Sequence, residues 1–179
     1  MRAVIDTNVL LVANEQHGGV SPDCVTACVR RLQDMQVNGI TVIDDYFHIL
    51  KEYENKTHLK PPKGVGDVFL KWLLRNLSNP QRVEQVTVTE IAENLFAEFP
   101  DSELQLNFDP PDRKFAAVAN AHPDKPVILQ ASDCKWLDWW PALQAKGVEV
   151  DFLCPQDACR FYETKFPKQA VPVLPSRGK

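Results

Sequence analysis

Four acidic residues, far apart in the chain, stand where carboxylates can do hydrolytic chemistry: Asp6, Glu52, Asp112 and Asp133. Asp6 directly follows Ala3-Val4-Ile5, and Asp133 closely follows Val127-Ile128-Leu129-Gln130; both runs have the pattern of short buried strands. Glu52 lies about two turns into a helix that starts after Asp44-Asp45, and Asp112 belongs to Asp109-Pro110-Pro111-Asp112, a helix opening. If the four converged to within roughly 5 Å, each ionised pair would cost about 3 kcal/mol at an effective dielectric of about 20, and all pairs together about 20 kcal/mol. A fold stable by only about 5–15 kcal/mol could not carry that unaided. Either some of the acids keep their protons or cations are bound. A donor set of oxygens, without His or Cys, selects hard ions, so Mg²⁺ or Mn²⁺ with several retained waters is the expected cofactor. Two such ions about 3.5–4 Å apart would activate a water and stabilise the leaving oxygen in phosphodiester cleavage.

The elements that must position these acids read as strands alternating with helices. A helix is expected from Ser21-Pro22 to Met35, a strand at Ile40–Ile43, and a helix through Phe47, Leu50 and Tyr53, capped by Asp44 or Asp45. Lys60-Pro61-Pro62-Lys63-Gly64 must be a loop, followed by a short helix over Val68–Leu77 and a strand at Val83–Val88. Residues 91–99 have helical spacing, Phe115–Ala119 mark another helix, and Trp139–Lys146, Val148–Leu153 and a helix from Pro155 complete the chain. Alternation with little room for hairpins predicts an α/β fold, a mainly parallel sheet of about five strands with helices on both faces. In such sheets ligands bind beyond the carboxyl ends of the strands, which is where Asp6 and Asp133 fall. On a helical wheel Glu52 flanks the apolar stripe, and it is expected to face a cleft.

At 179 residues the chain is expected to be one domain, residues 1–166, with an insert around 55–82 and a Pro-rich basic tail at 167–179. The net charge of −4 argues against a simple nucleic-acid coat, but the charge is segregated. Lys56, Lys60 and Lys63, with Lys71, Arg75 and Arg82, form a positive stretch able to meet a polyanion such as RNA, and the stretch 83–112 holds acids and no basic residue. Without a signal segment or a long apolar run, the cytoplasm and no membrane association are the default. The five Cys are then expected as reduced, packed thiols, with no zinc site. Of the four Trp, Trp136 beside Asp133 is the candidate to stack a base.

These motifs resemble those of the PIN-domain nucleases. Ile5-Asp6-Thr7-Asn8-Val9-Leu10 is similar to the family's first strand and its Asp, Ile49-Leu50-Lys51-Glu52-Tyr53 to its helix-borne Glu, Asp109–Phe115 to its third acidic motif, and Ala131-Ser132-Asp133 to its fourth. The resemblance implies a flavodoxin-like (PIN-like) sheet and a Mg²⁺- or Mn²⁺-dependent endoribonuclease, such as the toxin of a toxin–antitoxin pair. It makes Asp6, Glu52, Asp112 and Asp133 the catalytic metal ligands and Asn8, Asp109 and Ser132 supporting groups. It also implies an antitoxin or other inhibitory protein and a homodimer as partners. One departure is Lys135, where the family often has a second Asp; Lys135 either neutralises the site or touches phosphate, and Asp138 is the candidate substitute.

Two alternatives stay open. A catalytically degenerate module could bind RNA or a protein without cutting, as Lys135 suggests. A phosphotransfer enzyme on the same sheet fits less well, because a haloacid-dehalogenase-type phosphatase needs an Asp where Asn8 stands, and a receiver domain needs its paired acids after the first strand.

Overall fold

The computed structural model describes residues 1–176, so Arg177 and Lys179 of the basic tail lie outside the described residues. Five strands form one all-parallel sheet: β1 (Arg2–Ile5), β2 (Ile40–Asp44), β3 (Val83–Val86), β6 (Val127–Gln130) and β7 (Val150–Phe152), in the order β3-β2-β1-β6-β7. β4 (Glu90–Ala92) and β5 (Leu95–Phe96) make a separate antiparallel hairpin. The helices are α1 (Thr7–Ala13), α2 (Pro22–Asn38), α3 (His48–Lys56), α4 (Val65–Arg75), α5 (Ser102–Asn107), α6 (Arg113–Ala121), α7 (Trp136–Ala145) and α8 (Pro155–Lys165). This is the expected flavodoxin-like α/β architecture.

The strand sequences account for the sheet. Ala3, Val4 and Ile5 are all fully buried, as are Val42, Ile43, Ile128 and Leu129, because a parallel strand with helices on both sides has no solvent face. The chain winds from β1 outward through β2 to β3, then returns to β6 beside β1 and continues to β7. Right-handed crossovers running in opposite directions place their helices on opposite faces. Accordingly α1, α2 and α4 pack on one another, whereas α6 covers β1, β2 and β6. The reversal of winding lies between β1 and β6, so the crevice beyond their ends is flanked by the residues that follow these two strands.

Several elements differ from the sequence reading. Residues 91–99 form the β4–β5 hairpin and a turn rather than a helix, because Asn94 takes a left-handed conformation, φ 54°, that reverses the chain, and Gln105 pairs with both backbone groups of Phe96. α1 and α5 were not anticipated. Each is a short helix nucleated by an Asp cap, with Asp6 accepting from the Asn8 N–H and Asp101 from those of Glu103 and Leu104. Within the stretch 55–82, α4 buries Phe69, Leu70 and Leu73 completely and completes the connection from β2 to β3. Its fit depends on Gly66, where a Cβ would collide with the Leu10 carbonyl of α1. Residues 170–176 of the tail have no regular structure, and the Trp140 indole N–H donates to the Val173 carbonyl at 3.0 Å.

The thiol expectation is overturned for one pair. Cys24 near the start of α2 and Cys154 before α8 form a disulfide that spans 130 residues of sequence. Cys28, one turn further along α2, lies with its sulfur 3.8 Å from that of Cys154, and Cys28, Cys134 and Cys159 are free thiols. Burial is what brings the pair together: Cys24 and Cys154 are 3% and 4% exposed where α8 lies against α2, and Ser21 donates its backbone N–H and its hydroxyl to Asp157 across the same seam. No helix among the described residues is long and apolar enough to cross a membrane.

Candidate active site

Asp6, at the end of β1 and the cap of α1, is 4% exposed. Its Oδ1 accepts the Asn8 N–H at 2.8 Å, while its Oδ2 is buried and has no hydrogen-bond partner. Asp133 follows β6 and accepts the Lys135 N–H at 3.1 Å. Asn8 locks the two strand ends together, its Oδ1 accepting the Ser132 N–H at 3.0 Å and approached by the Ser132 hydroxyl at 3.4 Å.

Asp112 enters from the other side of the crevice, at the end of a 3-10 turn over Pro110–Asp112 that leads into α6. Neither Asp109 nor Asp112 caps a helix with its carboxylate. What aims this loop is Arg113, which is 9% exposed and donates to the carbonyls of Phe108 at 3.1 Å and Asn94 at 3.3 Å. Glu52 arrives on α3, whose start is organised by Asp44 rather than Asp45. The Asp44 carboxylate accepts the N–H groups of His48 and Ile49, and Asp45 accepts from the Thr87 hydroxyl instead. Tyr53, beside Glu52, donates its hydroxyl to the Ile5 carbonyl and so ties α3 to the end of β1.

The four acids thus come from four different elements to one end of the sheet, and their charges act on one another. Burial raises the carboxyl of Asp6 to about 7, against the Asn8 hydrogen bond, with the charges of Asp133 and Glu52 adding to the rise. Burial also raises Asp112 to about 8, helped by Asp6, Asp133 and Glu52. Asp133 is raised by burial too, opposed by the Lys135 N–H and by the charges of Lys165 and His17. The convergence is looser than the roughly 5 Å considered from sequence. Among the described residues, the only three His, Cys, Asp or Glu side chains with ligand atoms all within 4.8 Å of one another are Cys24, Cys28 and Cys154.

The donor set can be tested against Mg²⁺ or Mn²⁺. An octahedral ion with oxygens at about 2.1 Å cannot be clamped directly by three carboxylates so spaced, but Mg²⁺ usually takes one or two carboxylates and keeps its waters. Asp6 Oδ2 is the observation in favour. A buried carboxylate oxygen with no donor is costly, and a cation would satisfy it. The residues fit an ion held partly through water.

Sequence reasoning missed Lys114. Two residues after Asp112 on α6, it is 6% exposed, and its ammonium donates to Glu52 Oε2 and to the Pro111 carbonyl. In the sequence Lys114 follows Asp112-Arg113 at the entry to the apolar run Phe115–Ala119, and nothing there shows which of these charges is buried. Thr7, also missed, donates its hydroxyl to Glu52 Oε1 at 2.5 Å. Gln130, fully buried at the end of β6, accepts the Ala131 N–H at 2.8 Å and the Asp133 N–H at 3.5 Å, and so shapes the turn that presents Asp133.

Other expected groups stand apart from the crevice or are otherwise engaged. Asp138 is exposed and accepts from the Tyr162 hydroxyl at 2.8 Å. Lys135 is ion-paired with Asp109. Lys56, Lys60 and Lys63 are exposed at the end of α3 and on the loop before α4. Trp136 is completely buried, edge-on to Phe108 with ring centres 5.1 Å apart, so it packs the core and cannot stack a base. Compared with known proteins, the chain matches no family model, no curated sequence and no solved structure.

Proposed function

We propose that this protein is a Mg²⁺- or Mn²⁺-dependent endoribonuclease. The observation that carries the reading is the meeting of Asp6, Asp112 and Asp133, with Glu52 alongside, at the reversal point of the sheet, where Asp6 Oδ2 is buried without a partner. Asp6, Asp112 and Asp133 would hold the ion. When bound, such an ion supplies positive charge that polarises a phosphodiester and makes water a better nucleophile. The chain's own groups do the rest. Asn8 and Gln130 fix the two strand ends, and Arg113 fixes the approach of Asp112. Lys165 places positive charge near Asp133, where a nucleic-acid backbone would pass, and Lys56, Lys60 and Lys63, exposed at the end of α3 and on the loop before α4, are further candidates to meet it. A role as the toxin of a toxin–antitoxin pair, with an inhibitory protein across the crevice, and a homodimer belong to the same proposal.

The test is digestion of structured and single-stranded RNA in Mn²⁺, Mg²⁺ and chelator, with Asp6→Asn in parallel. Cleavage that needs the ion and falls at least 100-fold in Asp6→Asn is expected. An Asp6→Asn protein that behaves like the parent, or no cleavage in either ion, refutes the reading.

A second reading has its own observation. The pairs Lys114–Glu52 and Lys135–Asp109 place two ammonium groups against acids of the site, as in a module that binds RNA or protein without cutting. RNA binding that survives chelation, without cleavage in any ion, would favour it.

A further inference from the structure

We propose that Lys114 is a built-in cation of the acid cluster, so that the site takes one divalent ion, held by the three aspartates, and Glu52 anchors the lysine instead of ligating metal. The inference rests on reading the crevice as a metal centre, not on RNA being the substrate.

Both carboxylate oxygens of Glu52 already have donors: Oε1 takes the Thr7 hydroxyl at 2.5 Å and Oε2 takes the Lys114 ammonium. Asp6 is the opposite case, with one oxygen capping α1 and the other buried and without a partner. The acid with spare capacity is therefore the aspartate on β1, whereas the glutamate on α3 is committed.

Lys114 is committed as well. Its side chain is 8% exposed on a helix whose next five residues, Phe115–Ala119, are fully buried, so the ammonium has no route to bulk water along α6. A buried ammonium is tolerated only with oxygen partners, and Glu52 and the Pro111 carbonyl supply two. Pro111 is the residue before Asp112, so one lysine closes the gap between α3 and the acidic turn that opens α6. Its charge also opposes the rise of Asp6 and Asp112, which places it among the acids and not beside them.

The charge count then favours one ion. Four carboxylates and one ammonium leave a deficit of three positive charges if every acid is ionised. One divalent ion leaves the cluster slightly negative; a second would leave it positive beside Lys114 in the substrate-free protein. Where two ions would otherwise share the acids, this chain supplies part of the positive charge covalently.

Calorimetric titration of the full chain with Mn²⁺ at pH 8.5 tests this, beside Lys114→Met, Glu52→Gln and the RNA digestion. One Mn²⁺ per parent chain is expected, and Lys114→Met should bind a second ion or bind the first at least tenfold tighter. Two ions in the parent, or unchanged stoichiometry and affinity in Lys114→Met, overturn the inference. If Lys114→Met does not fold, Glu52→Gln decides. A loss of Mn²⁺ affinity smaller than that of Asp133→Asn supports an anchoring role, and an equal or larger loss overturns it. One ion without RNA cleavage leaves the inference standing and removes the nuclease; RNA cleavage with two ions does the reverse. No Mn²⁺ binding by any of the proteins removes both.

Discussion

Asp6 and Asp67 show how differently one chain can treat a buried carboxylate. Asp67, 1% exposed, accepts the N–H groups of His58, Lys63 and Gly64 and the Asn14 amide, and these donors outweigh burial and lower its pKa. Asp6 has one donor and a raised pKa. A satisfied acid is architecture; an unsatisfied one has capacity to spare. Replacing Asp6 by Asn, which keeps an oxygen for the α1 cap, should therefore stabilise the metal-free protein by about 4 kcal/mol at pH 9 and by only about 1 kcal/mol at pH 5, where the acid keeps its proton in the native state but not in the unfolded chain. Urea titrations at the two pH values would show it, and a loss of stability at pH 9 would contradict it. Sequence reading found the aspartates because each follows a strand or opens a helix. It missed Lys114 and Arg113 because a buried cation has no spacing rule: its place is legible only once its acceptors, on Glu52, Pro111, Phe108 and Asn94, are assembled.

At the scale of elements, the parallel strands were legible because burial on both faces leaves continuous apolar runs. The short pieces were not. α1 has seven residues and α5 six, too few turns for a periodic pattern, and the hairpin over 90–96 was obscured because Ile91, Leu95 and Phe96 also suit a helix. α4, within the stretch 55–82 expected as an insert, lays its apolar face on α1 and α2. That contact makes a prediction. Gly66→Ala puts a methyl group against the Leu10 carbonyl, and should destabilise the fold by about 1–3 kcal/mol despite the better helix propensity of Ala. A denaturant midpoint unchanged or raised would mean that α4 can shift away at no cost. The bridge between α2 and α8 makes another. Replacing Cys24 and Cys154 together by Ser should cost about 2–4 kcal/mol, since it reopens a long loop in the unfolded chain; equal denaturant midpoints for variant and parent would count against it.

For the whole molecule, the acid cluster couples stability to pH and to divalent ions. With Asp6 raised to about 7 and Asp112 to about 8 against an unfolded value near 4, the native state holds more protons than the unfolded chain across that interval. In chelator, the contribution of these acids to stability should fall as pH rises from about 4 to about 8 and level off above it. Saturating Mn²⁺ binds the ionised form and should flatten that slope. Thermal midpoints from pH 5 to 9, with and without Mn²⁺ and compared with a variant carrying both Asp6→Asn and Asp112→Asn, check this; a slope that the double variant keeps would assign it to other groups.

The overall architecture could be read from alternation alone, while the loose spacing of its acids could not, since spacing depends on loops that pattern does not specify. The Cys24–Cys154 bridge also has a consequence for handling the protein. It closes a covalent ring that includes β2, β3, β6 and β7, so a protease nick on any loop between residues 24 and 154 leaves the fragments joined. Nicked material would run as one intact band on a denaturing gel until a reductant is added, and only then would it separate.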